Sequence, residues 1–208
     1  AFLQAYLASI TAVDECIGQV VDSVDRAGLA DNTIIVLTSD HGWNMCEKDY
    51  LFKNSLWEES TRVPLVIRAP GVTGKAGIVE HPVSLIDLYP TLKDLCGLEG
   101  KTVKNDTLSP QLEGHSMRPF LVDPESRSWT GPDFALSMIT AEGAASDPAK
   151  QHYSVRTERW RYIRYNNGAE ELYDHANDPY EWTNLATVPE HAATVAEMKR
   201  RLPECVPR

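Results

Sequence analysis

The feature that most constrains the fold is an apolar run that ends abruptly in polar residues. The run is Thr33-Ile-Ile-Val-Leu-Thr-Ser-Asp-His-Gly-Trp43. Its β-branched and aliphatic residues do not alternate with polar ones, which is typical of a strand covered on both faces, as in a parallel sheet flanked by helices. Ligands of such sheets bind beyond the carboxyl ends of the strands. Asp40 and His41 therefore lie where a metal or anion site is expected.

The same tripeptide also has a purely structural interpretation. An aspartate after a strand can hydrogen-bond its own backbone, and Gly42 can supply a positive φ for a turn. His41 would then be incidental. Only the sequence after Gly42 can distinguish a functional site from a simple turn.

The first half of the chain predicts alternating helices and strands. Apolar residues recur at helical spacing from Phe2 to about Ala27, with Gly28 as the expected stop. This helix begins without a cap, so we interpret Ala1 as an internal cut of a longer chain. A short helix at 56–60, a strand at 64–69 and a helix at 87–96 are expected to follow the first strand, which lies at 33–39. From about 99 to 150 the chain reads mostly as loop, with a strand candidate at 134–139.

The pattern changes near residue 151. Alternating segments at 152–157 and 160–165, followed by a turn and a segment at 171–174, predict an antiparallel meander. A charged helix at 189–202, with an apolar stripe of Val195, Met198 and Leu202, is expected to close the chain. We therefore predict two domains, residues 1–150 and residues 151–208.

Composition excludes several classes of protein. The formal net charge is −10 and the pI is about 5.0, which argues against nucleic acid as a partner because nucleic-acid binders need a cationic face. No apolar run approaches the roughly 20 residues of a membrane span, and no signal peptide is evident at the start. The four cysteines, Cys16, Cys46, Cys96 and Cys205, form no C-x-x-C pair, so neither a zinc site nor a dense disulfide framework is indicated.

Several segments together resemble the second half of a type I sulfatase, in particular the iduronate-2-sulfatase-like and choline-sulfatase-like branches. They occur in the family's order and cover nearly the whole chain. They are Thr38-Ser-Asp-His-Gly-Trp-Asn-Met-Cys-Glu-Lys48, Lys53-Asn-Ser-Leu-Trp-Glu-Glu-Ser-Thr-Arg-Val-Pro-Leu-Val-Ile-Arg-Ala-Pro-Gly71, Ser84-Leu-Ile-Asp-Leu-Tyr-Pro-Thr-Leu92, Leu112-Glu-Gly-His-Ser-Met-Arg-Pro-Phe-Leu121, and the series Tyr162-Ile-Arg-Tyr165, Glu171-Leu-Tyr-Asp174, Asn177-Asp-Pro179 and Trp182-Thr-Asn-Leu185.

The resemblance implies a fold and a set of site residues. The fold would be α/β: the C-terminal part of an alkaline-phosphatase-like mixed sheet sandwiched by helices, with a small α+β domain that has an antiparallel sheet and a closing helix. Asp40 and His41 would bind a divalent cation, usually calcium, although imidazole also suits softer metals. Lys53 would contact the sulfate, since an ammonium is a good point-charge partner for that group.

The loop after the Asp-His pair lines the substrate pocket in the family, so the resemblance implies pocket roles for Trp43 and Asn44. Trp43 has the alternative of a packing role. Many relatives have His and Gly where this sequence has Asn44 and Cys46, so the family's substrate preference does not transfer. The substrate class implied is a sulfated small molecule or glycan.

The family nucleophile is absent from these 208 residues. It is a Cys or Ser in a C/S-x-P-x-R motif, converted to formylglycine, and Cys205-Val-Pro-Arg208 does not match that motif. The resemblance therefore implies that a missing N-terminal segment of the same enzyme is the partner of this chain, which alone is expected to be inactive. It also implies a periplasmic or secreted location.

Two alternatives remain open. A phosphodiesterase or phosphonate hydrolase of the same superfamily would use a similar Asp-His metal site. A non-catalytic binding module would need no nucleophile at all. The residue at the nucleophile position separates the first of these from a sulfatase.

Overall fold

The computed structural model describes residues 2–74, 76–100, 113–143 and 147–206. Within these ranges the helices are α1 (Phe2–Arg26), α2 (Glu58–Thr61), α3 (Leu88–Leu95), α4 (Arg118–Val122) and α5 (Ala192–Lys199). The strands are β1 (Ile35–Thr38), β2 (Leu65–Arg68), β3 (Ala135–Ile139), β4 (His152–Arg156), β5 (Trp160–Arg164) and β6 (Glu170–Asp174). Single 3₁₀ turns lie at Ala30–Asn32, Glu47–Asp49, Leu85–Asp87, Pro148–Lys150 and Pro189–His191.

Strand β1, which leads to the candidate site, was expected to belong to a parallel sheet. β1 pairs with β2, and the pairing is antiparallel, with Ile35 opposite Arg68 and Thr38 opposite Leu65. Ile35, Val36 and Leu37 are only half-buried in the described part of the chain. The prediction of a parallel, fully buried arrangement is therefore not met here. Apolar side chains on both faces of a strand indicate what covers those faces, and they carry no information about the direction of its neighbour.

Helix α1 begins and ends where its pattern predicts. Gly28 adopts a left-handed φ of 69° and terminates the helix, as an achiral residue does at little steric cost. None of the residues of α1 is buried. Leu3, Leu7 and Ile10 each expose half or more of their surface, so the apolar stripe of this helix is not covered by the described residues.

The second sheet has the order β3-β4-β5-β6, and all of its neighbours are antiparallel. One face packs against α5 and the turn that follows it, where Val195 and Met198 of the helix and Leu202 of the turn are buried against the sheet. The predicted meander is therefore confirmed. The closing helix is present but shorter than the predicted 189–202, since the structure has a 3₁₀ turn at Pro189–His191 followed by α5 over Ala192–Lys199. The buried members of this core are Tyr153, Val155, Tyr162, Leu172, Val195, Met198, Leu202 and Val206.

The region between the two sheets contains more order than its composition suggests. The 3₁₀ turn at Leu85–Asp87 starts from a capping box formed by Ser84 and Asp87 and leads directly into α3. α3 ends before Gly97, whose φ is 60°. α4, with Pro119 in its first turn, was expected to be loop. Leu112 of the sulfatase-like segment 112–121 lies outside the described residues.

The predicted domain boundary at residue 150 stays a prediction. β3 precedes that boundary and is the edge strand of the sheet that β4–β6 continue. Among the described residues, no helix is long and apolar enough to cross a membrane. All four cysteines have free thiols and are exposed.

Candidate functional site

The candidate site begins at the turn that follows β1. The backbone N–H of His41 donates to Asp40 Oδ1 at 3.1 Å. His41 Nδ1 lies 2.8 Å from the carbonyl oxygen of Gly42, and because a carbonyl only accepts, Nδ1 carries the proton. In the neutral ring Nε2 is then an acceptor.

Lys53 reaches back over this turn. Its Nζ lies 2.8 Å from His41 Nε2, although 12 residues separate the two in the chain. Asp40 Oδ2 lies 3.5 Å from the same imidazole nitrogen. The fold therefore brings Asp40, His41 and Lys53 into one group of polar atoms.

The group fits a divalent cation in its donor chemistry. The Asp40 side chain is 85% exposed and the His41 side chain is 35% exposed, so both are open to a ligand. A histidine that binds a metal through one ring nitrogen commonly donates its other N–H to a backbone carbonyl, and the Nδ1 contact of His41 has that form. Carboxylate oxygen suits a hard cation such as calcium.

Asn44 supports the loop from within. It is completely buried, and its Nδ2 contacts Phe52 O at 3.2 Å, Ser55 Oγ at 2.9 Å and Ser60 Oγ at 2.6 Å. Trp43 is half-buried, with its ring edge-on to that of Phe52 at 5.4 Å between centroids. Neither Trp43 nor Asn44 is among the residues that line the cavity described below.

Helix α2 packs directly against the Asp-His-Gly turn. Gly42 N donates to Ser60 O at 2.9 Å. A Cβ added to Gly42 would lie 2.0 Å from the carbonyl oxygen of Glu59. Glycine is therefore required here by the close approach of α2.

α2 is in turn fastened to the second sheet by a buried ionic network. Arg161 of β5 pairs with Glu58 of α2 and with Glu181, and its side chain is only 2% exposed. Arg156 Nε pairs with Glu58 Oε2 at 3.2 Å. His175 Nε2 lies 2.8 Å from Glu181 Oε1. These contacts connect the segment that carries the site to residues more than 90 positions away.

The carboxylates of this network are already neutralised by its own arginines. Glu58, His175 and Glu181 offer ligand atoms within 4.8 Å of one another, which is a spacing that a metal ion can use. Burial raises the pKa of Glu58, but Arg161 and Arg156 outweigh it and hold that pKa below its ordinary value. Because two guanidinium groups already compensate the two carboxylates, we assign this cluster a structural role.

Lys48 makes a second set of contacts with the C-terminal sheet, beside the ionic network of Arg161. The Lys48 ammonium donates to Glu181 O and, at 3.2 Å, to Tyr173 Oη. It also lies 4.4 Å from the centroid of the Tyr173 ring, within reach of a cation–π attraction. Burial lowers the pKa of Lys48. The loop between the Asp-His turn and α2 is thereby held against the C-terminal sheet.

A cavity of about 720 Å³ opens at the group formed by Asp40, His41 and Lys53. It is also lined by His81, by Arg156 and by Glu158 of the turn between β4 and β5. These three residues were not identified from the sequence. His81 lies in one segment and Arg156 and Glu158 lie together in another, and only the tertiary fold brings the two segments to one cavity.

The chain is similar in sequence to known sulfatases. Residues 1–98 match the family model described as Sulfatase. A protein of Formosa agariphila described as a sulfatase is 34% identical over 202 residues, which cover 97% of this chain and 36% of the relative. The chain therefore spans about a third of the length of this relative.

Solved structures agree with the sequence comparison. A structure described as a complex with its substrate D-glucosamine-2-N,6-O-disulfate has a TM-score of 0.75 and 32% identity, covering 95% of this chain and 38% of the other. The phosphonate monoester hydrolase of Agrobacterium radiobacter has a TM-score of 0.74 and 29% identity, covering 93% and 38%. The predicted fold class, an alkaline-phosphatase-like α/β fold with antiparallel strands, is confirmed.

Proposed function

This chain belongs to the sulfatase family, and from that premise we propose that it carries part of the active site of an enzyme that hydrolyses sulfate esters. The observation that supports the proposal is the convergence of Asp40, His41 and Lys53 at one cavity. A carboxylate, an imidazole and an ammonium together provide ligands for a cation and a positive group for an anion.

In this proposal Asp40 and His41 hold a divalent cation, calcium by its preference for carboxylate oxygen. Such a cation, when bound, supplies Lewis-acid polarisation of the ester oxygens. His41 would contribute Nε2, because its Nδ1 proton is engaged by Gly42 O. The Gly42 contact also fixes the ring plane, so the imidazole is oriented before any ligand arrives.

Lys53 would bind the sulfate group. Its Nζ lies at the Nε2 face of His41, so an anion held there is adjacent to both proposed cation ligands. The ammonium donates hydrogen bonds to the sulfate oxygens and stabilises negative charge that develops as the ester bond breaks. A lysine is suited to this contact because its charge is compact and its three N–H groups rotate freely.

The nucleophile belongs to the same proposal. We infer that a formylglycine, formed from Cys or Ser in a C/S-x-P-x-R motif, is supplied by a segment that precedes this chain in the whole protein. The relatives are about three times longer than the region they share with it. Neither ligand set nor nucleophile would then be complete in the 208 residues alone.

The proposed substrate class is a sulfated sugar. One structural neighbour was solved with a sulfated glucosamine, and the cavity of about 720 Å³ lies in the size range of small-molecule sites. The second candidate is phosphonate monoester hydrolysis, which the neighbour from Agrobacterium radiobacter favours. Parallel assays with aryl sulfates and phenyl phosphonates separate the two, since the preferred ester reveals the reaction.

The proposal is tested by Asp40→Ala in the complete protein. Loss of a cation ligand is expected to reduce sulfatase turnover by roughly a thousandfold, since the metal supplies several kcal/mol of transition-state stabilisation. The thermal midpoint should change little, because the Asp40 side chain is 85% exposed. Asp31→Ala, at another exposed aspartate, is the matched control. Unchanged hydrolysis of 4-nitrophenyl sulfate by Asp40→Ala would defeat the assignment.

A further inference from the structure

A polar ridge separates the cavity at the candidate site from a neighbouring smaller one. The larger cavity measures about 720 Å³ and the smaller about 260 Å³. Four residues line both of them: His81, Pro82, Thr157 and Glu158. We call these four residues the ridge. A molecule bound to Lys53 and extending through the larger cavity has this ridge as part of its wall.

His81 is held in a fixed orientation on the ridge. Its Nδ1 donates to the carbonyl oxygen of Pro82 at 2.8 Å. Its ring lies 5.2 Å from the Phe120 ring and 5.8 Å from the Trp129 ring, measured between centroids. Because Nδ1 is committed, Nε2 of the neutral imidazole is an acceptor. Within the described part of the chain no protein group hydrogen-bonds to that nitrogen.

Glu158 is presented by a short, well-tied turn. Thr157 N donates to Trp160 O at 2.9 Å, and Trp160 N donates to Thr157 Oγ1 at 3.0 Å. Glu158 lies between these ties and is exposed. Its carboxylate has no ion-pair or hydrogen-bond partner among residues 2–74, 76–100, 113–143 and 147–206. It therefore points an uncommitted acceptor into solvent at the cavity wall.

Two other charged groups of the wall near the ridge, both arginines, are already engaged, whereas Glu80, next to His81 in the chain, is exposed and has no ion-pair or hydrogen-bond partner among the described residues. Arg156 and Arg161 both pair with Glu58. His81 and Glu158 differ from them in having rigid supports and unused acceptor atoms. Two acceptors without protein donors are suited to a ligand that brings donors, and hydroxyl groups are the commonest such donors on a sulfated alcohol.

We propose that His81 and Glu158 are specificity-determining residues that bind hydroxyl groups of the alcohol part of the sulfate ester. The inference rests on the proposed function and names the part of the substrate that this end of the site selects. A sugar bearing one sulfate offers hydroxyl donors to both residues. A second sulfate at that place offers no donor and is repelled by the Glu158 carboxylate.

The test uses the complete protein and steady-state kinetics with two kinds of ester. Monosulfated glucose and N-acetylglucosamine probe the ridge, whereas 4-nitrophenyl sulfate carries no hydroxyl groups on its ring. For His81→Ala and Glu158→Ala, which remove the acceptor atoms, we expect kcat/KM on the sugar sulfates to fall roughly 10–100-fold, mainly through KM, as for loss of a hydrogen bond to a substrate hydroxyl. Turnover of 4-nitrophenyl sulfate should stay within about twofold of the unaltered protein.

Glu190→Ala, at an exposed glutamate away from both cavities, is the matched control and should change turnover of neither ester. Glu158→Gln should also improve turnover of glucosamine-2-N,6-O-disulfate relative to the monosulfated sugar. Equal losses on aryl and sugar esters, or no loss on either, would overturn the inference while leaving the sulfatase assignment intact. Absence of turnover of every sulfate ester by the unaltered protein would overturn the proposed function, and this inference with it.

Discussion

Arg161 on strand β5 and Glu58 on helix α2 form a buried ion pair across a separation of 103 residues. The Arg161 side chain is 2% exposed and the Glu58 side chain 12% exposed. Because α2 lies directly behind the turn at Gly42, this pair connects the C-terminal sheet to the loop that carries Asp40 and His41. The C-terminal sheet thus supports the candidate site from behind.

Replacing Arg161 is expected to destabilise the protein strongly. Arg161→Met removes the buried guanidinium that Glu58 and Glu181 share and leaves them with only Arg156 and His175 as partners. Breaking a buried pair in this way costs about 3–5 kcal/mol of unfolding free energy. Urea unfolding at neutral pH measures the difference. Arg26→Ala is the matched control, since its pair with Asp22 spans 4.0 Å between exposed side chains and is worth about 0–1 kcal/mol. Equal effects of the two replacements would contradict a structural role for the network.

Two glycine-to-alanine replacements should have opposite effects. At Gly42 the new methyl group would meet Glu59 O at 2.0 Å, so Gly42→Ala should cost about 1–3 kcal/mol and displace the turn. Sulfatase turnover should fall with it, since a shift of about 1 Å in a site can cost roughly a hundredfold. Gly18 in α1 has nothing within 4 Å of such a group, and Gly18→Ala should add about 0.5–1 kcal/mol. Calorimetry and turnover assays compare the pair, and a neutral Gly42→Ala would refute the close approach.

Lys53 is expected to matter for turnover and little for folding. If its ammonium binds the sulfate, Lys53→Ala should lower kcat/KM for 4-nitrophenyl sulfate by roughly 100–1000-fold, as loss of one charge-stabilising donor does. Lys150→Ala provides the control, because Lys150 is an exposed lysine whose nearest acid is Asp147 at 3.2 Å. Circular dichroism should show both variants folded. Similar kinetics for the two would remove Lys53 from the site.

Asp174 should give the stability of the protein a distinct acid dependence. Hydrogen bonds from Arg159, aided by Asn177, lower the pKa of Asp174 from 3.8 to about 2. A carboxyl group with a lowered folded-state pKa stabilises the fold above its unfolded-state pKa, and this contribution is lost as pH falls towards the folded value. The gap in unfolding free energy between the protein and Asp174→Asn should therefore shrink from about pH 4 to pH 2. If urea titrations show a constant difference in unfolding free energy over this pH range, the lowered pKa of Asp174 is not a source of acid sensitivity.

Local structure was largely predictable from the sequence. Periodicity located α1, the meander β4–β6 and the buried stripe of α5, because each depends on the spacing of apolar residues within one segment. The turn at Asp40 and His41 followed from the end of an apolar run. The direction of the β1 pairing was not predictable, since apolar residues on both faces suit either direction. The short helix α4 was missed because it lies within a segment rich in Gly, Pro, Ser and Asp, a composition that is typical of loops.

The sequence by itself determined the elements, the order of the sulfatase-like segments and the identity of Asp40, His41 and Lys53 as candidates for one site. Their roles as cation ligands and sulfate contact stay predictions. Only the tertiary structure decided that Arg161 pairs with Glu58 and that His81 and Glu158 share a ridge. The physical reason is that a local pattern reports which face of a segment is buried, whereas the partner of a buried charge or the wall of a cavity is set by packing between segments far apart in the chain.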